Sequence, residues 1–330
     1  MQLNYLVQNL ETRSLNTWMI KKKSNIHLIS IAPMMGWSTG AMEEVMRVVS
    51  PNATFFSQMF HINAIINRPQ FISEQYSPNT VIQIGGCCPD TIQRACRTIK
   101  AMGFSHVNMN FGCPSPKVQK GGFGAYLMKE KILAKQCIES MLAVFEPHQV
   151  SVKCRIGVDE YDSDAFLQDF IQQFDEIGIQ QFIIHARIAK LTKFNPKQNR
   201  NIPPLNYPRV YRMINAFPDI SFIVNGGIKT IDDATSILSH ADGIMIGRLC
   251  YEDLYQYHLL YASVYQQAPL TREALIHKLK PSVKHYLYIN SIYKGVKYAS
   301  QWKRLLREKH TLSELTKFTK ERTDRDSIYV

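Results

Sequence analysis

The most constraining feature of the sequence is a short apolar run that recurs eight times between residues 26 and 247, each time followed by a stretch with helical spacing. Most of these runs close on Gly, Pro or a polar residue, as buried strands do at their ends. Eight buried strands that alternate with helices within about 220 residues predict an α/β protein of the (β/α)8 TIM-barrel class. A doubly wound open sheet is the alternative, but no G-x-G-x-x-G follows the first run. The runs cover residues 26–32, 54–59, 80–84, 105–111, 149–154, 181–185, 220–225 and 242–247.

The pattern changes near Leu270, where strand-like runs stop and basic helical stretches begin. Three parts follow from this: an N-terminal extension at residues 1–25, the barrel at 26–265 and a C-terminal all-helical domain at 266–330. The last twenty residues are charged and poor in apolar side chains, so they are predicted to fray. Helices are predicted at residues 40–49, 89–102, 127–145, 164–177, 231–238, 274–293 and 296–309.

The charge of the chain is strongly positive and unevenly distributed. The net charge is +12, from 39 Lys and Arg against 27 Asp and Glu, and residues 271–330 alone hold 14 basic against 6 acidic side chains. Such asymmetry favours a polyanionic partner, nucleic acid before membrane, and implies no protein partner. The alternative is a basic surface that serves solubility only.

Cysteine usage and hydropathy bear on the compartment. Seven cysteines, an odd number without metal-ligand spacing, argue against a disulfide scaffold and a structural metal and for a reducing environment. No run reaches the roughly 18 apolar residues of a membrane span. The first 24 residues lack the hydrophobic segment of a secretory signal. The chain is therefore predicted to be cytoplasmic, without membrane association.

Polar side chains follow several of the predicted strands, at the end of a barrel where active sites lie. Cys113 leaves the fourth strand between Gly and Pro, where it has little core to pack against. A reactive cysteine is therefore favoured over a buried structural one. Lys153 lies near the end of an apolar strand, where burial is costly without an anionic ligand. Gly226-Gly227 and Gly247-Arg248 follow the seventh and eighth strands and predict a phosphate site.

A phosphate site beside Lys153 and Gln83 suits flavin mononucleotide (FMN). Gln83 could hydrogen-bond the polar edge of the ring, and Lys153 could stabilise negative charge at N1 and O2. The residues alone leave open a Schiff-base role for Lys153, as in an aldolase. Met34 and Met35 could equally fill the core, and His185 could be a satisfied core histidine. Arg155 could be a surface salt-bridge residue and is left out of the predicted site.

Several segments together resemble the flavin-dependent tRNA-dihydrouridine synthases, in order and over about residues 27–310. The most specific is the Asn-x-x-Cys-Pro loop at 110–114. Residues 197–208 resemble the bacterial A subfamily, which modifies uridines 20 and 20a of the tRNA D-loop. The matching segments are APMMG (32–36), QIGG (83–86), NMNFGCPS (108–115), VKCRIG (152–157), HAR (185–187), NGGI (225–228) and GR (247–248).

The resemblance implies a reaction in two steps. NADPH, or NADH, reduces bound FMN, and a uridine flipped out of the tRNA then accepts a hydride at C6 while Cys113 protonates C5 as general acid. The barrel would be the FMN-binding catalytic domain and residues 266–330 the tRNA-binding domain. FMN would be held by Pro33, Met34, Met35, Gln83, Lys153, His185, Asn225, Gly226, Gly227, Gly247 and Arg248. The tRNA would be contacted by Asn110, at the uridine, and by Lys197, Arg200, Ser300 and Lys303.

Two departures from the family pattern affect these expectations. Ser57-Gln58-Met59 stands where the family usually has Thr-Glu-Met, so any role of that carboxylate is lost. Ser300 stands where the subfamily has an arginine, whereas Lys303 keeps the second basic position. One phosphate contact is therefore expected to be weaker or moved.

Two other functions compete with the RNA-modifying enzyme. An FMN-dependent TIM-barrel dehydrogenase of a small pyrimidine-like substrate would share the fold and the phosphate site. A non-catalytic RNA-binding protein on a decayed barrel would keep the basic surface. The basic helical part favours the RNA enzyme over the dehydrogenase, because a small substrate does not require it.

Overall fold

The structure of the protein is a computed structural model that describes residues 28–326, with side chains described for residues 28–320. The predicted extension at residues 1–25 and the start of the first predicted strand lie outside the described residues. Within the described part of the chain, the strands form one parallel sheet. They are β1 (Ile29–Ile31), β2 (Thr54–Phe55), β3 (Phe60–His61), β4 (Ile82–Gly85), β5 (Val107–Phe111), β6 (Val150–Arg155), β7 (Gln181–His185), β8 (Ser221–Asn225) and β9 (Gly243–Ile246).

The sheet closes on itself through the second predicted strand. Its order is β2-β1-β9-β8-β7-β6-β5-β4-β3, so β2 and β3 stand at its two ends. Both are pieces of the run predicted at 54–59, and between them Phe56 forms a parallel bridge with Val81. Ser57 Oγ accepts the backbone N–H of Gln83 at 3.0 Å, so a side chain replaces a ladder bond where the run is interrupted. The predicted (β/α)8 barrel is confirmed, and the single strand at 54–59 is wrong.

Helices surround the barrel, and the described chain after β9 contains helices and loops but no further strand. Those predicted near residues 40–49, 89–102, 164–177 and 231–238 are confirmed within two residues at each end. The helices are α1 (Gly40–Val49), α2 (Ile62–Asn67), α3 (Pro69–Ser73), α4 (Pro89–Ala101), α5 (Pro116–Lys120), α6 (Lys131–Leu142), α7 (Asp164–Asp175), α8 (Tyr207–Ala216), α9 (Ile231–Leu238), α10 (Leu249–Glu252), α11 (Leu254–Val264), α12 (Arg272–Leu279), α13 (Tyr286–Ile289), α14 (Ala299–Arg307) and α15 (Leu312–Asp326).

By the same measure three predicted helices are wrong in extent, of which the one predicted at 296–309 is shorter and covers Ala299–Arg307. The helix predicted at 127–145 begins only at Lys131, because Gly124–Met128 forms a buried 3-10 turn against β5. The helix predicted at 274–293 is broken after Leu279. There Lys280 is left-handed, with φ of 48°, and precedes Pro281, which lacks an N–H donor and disfavours helical backbone in the residue before it.

The prediction that the last twenty residues fray is wrong for residues 312–326, and residues 327–330 lie outside the described part of the chain. Residues 312–326 form α15, which packs on α12. Leu315 is fully buried, and the Phe318 ring lies 5.6 Å from that of Tyr293 and 5.8 Å from that of Trp302. A few apolar side chains at helical spacing are thus enough to order a charged segment, because Tyr293 and Trp302 already form a buried aromatic cluster.

The helical part docks on the barrel beside the carboxyl end of β1. The hydroxyl groups of Thr39 and Tyr288 share a hydrogen bond of 2.6 Å. The Glu44 carboxylate of α1 accepts hydrogen bonds from Lys284 at 2.7 Å and from His285 at 2.8 Å. The exact domain boundary at 266 stays a prediction. Among the described helices, none is long and apolar enough to cross a membrane.

Candidate active site

A cavity of about 1230 Å³ opens at the carboxyl ends of the strands. It exceeds the roughly 300–1,000 Å³ of ordinary small-molecule sites, so it has room for more than one group. Lys197, Ser300 and Lys303 are exposed and do not line it. The predicted site residues that do line it are Pro33, Met34, Met35, Gln83, Asn110, Cys113, Lys153, His185, Arg200, Asn225, Gly226, Gly227, Gly247 and Arg248.

The Cys113 loop leaves β5 in a conformation that neighbouring residues hold in place. The side-chain oxygen of Asn110 accepts the backbone N–H groups of Gly112 at 3.1 Å and Cys113 at 2.9 Å. On the other side, Ala125 donates its N–H to the Cys113 carbonyl at 3.0 Å. Gly124 has φ of +69°, and a Cβ there would lie 2.7 Å from the same carbonyl, so only glycine fits against the loop.

Asn110 is the last member of a buried chain of polar side chains on three adjacent strands of the barrel. Its Nδ2 donates to Gln83 Oε1 at 2.8 Å, and Gln83 Nε2 donates to Asn108 Oδ1 at 2.7 Å. Asn108 Nδ2 donates in turn to Ser151 Oγ at 2.9 Å. All four side chains are buried. Strands β4, β5 and β6 therefore fix Gln83 and Asn110 beneath the cavity before any ligand binds.

The Cys113 thiol is held in its protonated form. Burial raises its pKa above the ordinary value of 9.0. The cations of Arg155, Arg200 and Lys153 favour the thiolate and lower the pKa, but burial has the larger effect. At neutral pH the group is therefore a proton donor and a poor nucleophile.

Lys153 presents its ammonium group at the end of β6. Its Nζ donates to Asn225 Oδ1 at 3.0 Å, and Asn225 Nδ2 donates to the Met245 carbonyl at 2.7 Å. Burial, together with the neighbouring Arg155 cation, lowers the pKa of Lys153 from the ordinary 10.5 to about 8. An anion bound near Nζ would offset both effects.

The two glycines after β8 form a cradle that a side chain would fill. Gly226 has φ of +111°, and a Cβ there would lie 2.6 Å from Cδ2 of His185. Gly227 has φ of +79°, and a Cβ there would lie 2.4 Å from Cδ1 of Leu205. Tyr207 donates its hydroxyl to the Gly226 carbonyl at 2.5 Å, which fixes the turn. Backbone at this end of a barrel strand is suited to close approach by a phosphate.

The charge at this end of the cavity fits an anionic ligand. Lys153, Arg155, Arg187 and Arg248 are close enough to His185 that they, after burial itself, hold the pKa of the imidazole well below its usual range. None of the four cations forms an ion pair within residues 28–320. Arg187 Nε is buried without a hydrogen-bond partner among those residues. The donor set and the glycine cradle therefore fit the phosphate of FMN.

Arg155 is a site residue that the sequence interpretation missed. It is 3% exposed, lines the cavity and donates only to backbone carbonyls, so its interpretation as a surface salt-bridge residue is wrong. The available signal was its position, two residues after Lys153 at the end of a buried strand. A charged side chain in such a place requires the same explanation as Lys153 does.

An aromatic pair at the rim was also missed, and no sequence pattern announces it. The rings of Trp37 and Tyr251 stack with centroids 3.9 Å apart, and both line the cavity. Met35 beside them is 65% exposed, which excludes the core-filling role considered for it. Within the described part of the chain, no group of three or more His, Cys, Asp or Glu side chains could hold a metal ion.

Comparisons with known proteins agree with this architecture. The family model "Dihydrouridine synthase" matches residues 30–325. The tRNA-dihydrouridine(20/20a) synthase of Xanthomonas axonopodis pv. citri is 36% identical over 262 residues, which cover 78% of each chain. The enzyme of the same name from Vibrio cholerae is 36% identical and covers 85% of this chain and 90% of its own. That of Escherichia coli K12 is 33% identical over 91% of this chain and 92% of its own.

Solved structures give a weaker likeness. The old yellow enzyme homologue from Zymomonas mobilis covers 74% of this chain and 90% of its own, at 13% identity and a TM-score of 0.49. That value is too low to add to the fold or the function. The family match spans almost all of the described residues and is sufficient without it. The chain belongs to the dihydrouridine synthase family.

Proposed function

We propose that this protein is an FMN-dependent tRNA-dihydrouridine synthase that uses NADPH, or NADH, and acts on uridines 20 and 20a of the tRNA D-loop. The observation that carries the proposal is the position of Cys113, on a loop held by Asn110, in the wall of a cavity that Lys153 and Arg248 also line. Family membership and the names of the relatives support the reaction and the two uridines. Within residues 28–320 Lys153 has no carboxylate partner, and its lowered pKa would also suit a Schiff base. The adjoining glycine cradle favours a phosphate-bearing cofactor instead.

The cofactor would be held by the residues predicted for it. Gly226, Gly227, His185 and Arg248 would hold the phosphate, and Lys153 would face the ring. Pro33, Met34, Met35, Asn225 and Gly247 complete the lining. Gln83 already bonds Asn108 and Asn110, so its position against the ring would be set by that amide chain. Reduced FMN, when bound, supplies the hydride that uracil receives at C6.

Cys113 would act as general acid at C5, the carbon of the reacting double bond that does not receive the hydride. Its thiol carries the proton at neutral pH and would deliver it from Sγ to C5 of uracil. The thiolate left behind lies near Arg155, Arg200 and Lys153, whose charges stabilise it. Solvent can then restore the proton, because the side chain is only partly buried in the cavity wall.

The tRNA would approach from the rim where barrel and helical part meet. A uridine must leave the base stack to reach Cys113, and the size of the cavity allows a flipped nucleotide above a cofactor. Arg200 lines the cavity and makes no hydrogen bond through its side chain within residues 28–320. Lys294 of the helical part lines the same cavity and pairs with Asp253 at 3.7 Å. Lys197, Ser300 and Lys303 would contact the backbone further out.

Mass mapping of dihydrouridine in tRNA tests the proposal. Cells that lack the protein should lose dihydrouridine at positions 20 and 20a, and the wild-type gene should restore it where a Cys113→Ala gene does not. Unchanged tRNA in the deleted cells would refute the function. The purified, reduced protein should be reoxidised by unmodified tRNA. Reoxidation by free uracil at a similar rate would instead identify a small-molecule dehydrogenase, and a colourless protein that takes up no FMN would identify a decayed barrel.

A further inference from the structure

The Arg155 guanidinium donates hydrogen bonds to three backbone carbonyls, which belong to two different loops. Its Nε donates to the Gly112 carbonyl at 3.0 Å. One terminal nitrogen donates to the carbonyls of Ile188 and Asn199, both at 3.1 Å. The side chain is 3% exposed, so water does not compete for these bonds.

The second loop is made rigid at the point where Arg155 holds it. Asn199 is fully buried, and its Oδ1 accepts the N–H of Lys190 at 2.8 Å. Its Nδ2 donates to the carbonyls of Lys190 at 2.9 Å and Phe194 at 2.7 Å. Residues 190–199 are thereby closed around one side chain. Arg200, which follows directly, is placed at the cavity.

The fold by itself does not explain a cation at position 155. Within residues 28–320 no carboxylate pairs with it, and burial lowers its pKa to about 10. A buried charge whose partners are neutral carbonyls is costly. What the buried cation provides is a pair of hydrogen bonds beside two site residues. It binds the carbonyl of Gly112, next to Cys113, and the carbonyl of Asn199, next to Arg200.

We propose that Arg155 is a positioning residue that ties the loop of Cys113 to the loop of Arg200, so that proton donor and cation meet the same substrate nucleotide. The inference rests on the proposed function, since it takes Cys113 as the acid that protonates uracil. The fixed charge also faces the thiol, together with those of Arg200 and Lys153, and favours the thiolate that remains after the transfer.

Two variants and one control test whether Arg155 connects the two loops in the full-length, FMN-loaded protein. Arg155→Met removes the charge and all three hydrogen bonds, whereas Arg155→Lys keeps the charge but cannot reach both loops. Arg209→Met is the control, because Arg209 pairs with Asp162 and Asp164 and does not line the cavity. Hydrogen exchange of residues 108–124 and 188–203 reports the tie, and the pH dependence of Cys113 alkylation by iodoacetamide, located by peptide mass, reports the charge.

Arg155→Met should speed exchange about tenfold or more in both segments and move alkylation to higher pH. Arg155→Lys should speed exchange in both segments while alkylation keeps its wild-type pH dependence. Arg209→Met should leave both segments and the alkylation profile unchanged. In turnover with tRNA, both Arg155 variants should lose at least about tenfold in kcat.

Wild-type exchange in either segment of Arg155→Met would overturn the proposal, and so would a uniform acceleration across the whole chain. Should Arg155→Met fail to fold, wild-type exchange in Arg155→Lys would have the same consequence. Exchange and alkylation need no turnover. A protein that forms no dihydrouridine would therefore refute the proposed function while the tie could still be measured.

Discussion

The side-chain oxygen of Asn110 lies 2.9 Å from the backbone nitrogen of Cys113 and accepts its N–H. The residue predicted to contact the substrate uridine therefore also supports the loop that carries the acid. Both remaining polar contacts of Asn110 are internal as well, to Gly112 and to Gln83. The direct contact with uridine stays a prediction, whereas the support of the loop is a feature of the fold.

Replacing Asn110 separates these two roles. Asn110→Ala removes the acceptor for two backbone N–H groups and leaves Gln83 without its donor. We expect the free energy of unfolding to fall by about 1–3 kcal/mol, measured by urea denaturation, and dihydrouridine formation to fall with it. Asn110→Asp keeps the acceptor for both backbone N–H groups but likewise leaves Gln83 without its donor, so it should lose less stability than Asn110→Ala. Equal loss of stability in both variants would contradict the support that Asn110 gives to the loop.

Cys113→Ala tests the general acid directly. FMN binding and NADPH oxidation should stay largely intact, because the Cys113 thiol takes part in neither. Dihydrouridine formation should fall by roughly 10²-fold or more, as for the loss of a positioned acid. Cys88→Ala is the matched control, since Cys88 is exposed and does not line the cavity. Unchanged tRNA reduction in Cys113→Ala would remove this residue from the mechanism.

Local patterns predicted the barrel because most strands are short, largely buried runs with their own boundary residues. They also pointed to the turn after β8, where Gly226 and Gly227 adopt positive φ angles that side chains rarely take; its role as a phosphate site stays a prediction. What the patterns missed depends on tertiary contacts. The run at 54–59 is divided by a hydrogen bond from Gln83 to Ser57, which lies 26 residues away in sequence.

Arg155 and the aromatic rim illustrate the same limit. An arginine at the end of a strand is compatible with an exposed side chain. Arg155 is buried because its guanidinium binds the carbonyls of Ile188 and Asn199, which lie in a distant loop. Trp37 and Tyr251 are more than two hundred residues apart and meet only because the barrel closes. Helix α15 was missed for a related reason, because its apolar side chains are few and the surface that buries them is formed by other segments.

Ser300 offers a gain-of-function test of the helical part. The side chain is exposed on α14, at the position where the resembling subfamily carries arginine. Ser300→Arg should tighten tRNA binding and steepen the dependence of log Kd on log salt by about one, as for one added phosphate contact. Ser236→Arg adds the same charge to exposed helix α9 and should change the slope much less. Equal slopes for the two variants would place the tRNA away from Ser300.

The buried ammonium group of Lys153 makes the free energy of unfolding depend on pH. Its pKa is about 8 in the folded protein against 10.5 for an ordinary lysine, so between these values the unfolded chain binds the extra proton. The contribution of Lys153 to stability therefore rises with pH across this window and is lost as the pH falls through about 8. Its full size is about 3 kcal/mol, from the two pKa values.

Urea denaturation of the FMN-free protein and of Lys153→Met at several pH values measures this contribution as a difference. The free energy of unfolding of the wild type, relative to the variant, should be constant below pH 8 and increase toward pH 10.5. Other groups titrate alike in both proteins and cancel. Bound FMN should raise the pKa of Lys153 and shrink the increase, because a nearby anion favours the ammonium. Parallel curves for wild type and variant at all pH values would show that Lys153 is not desolvated.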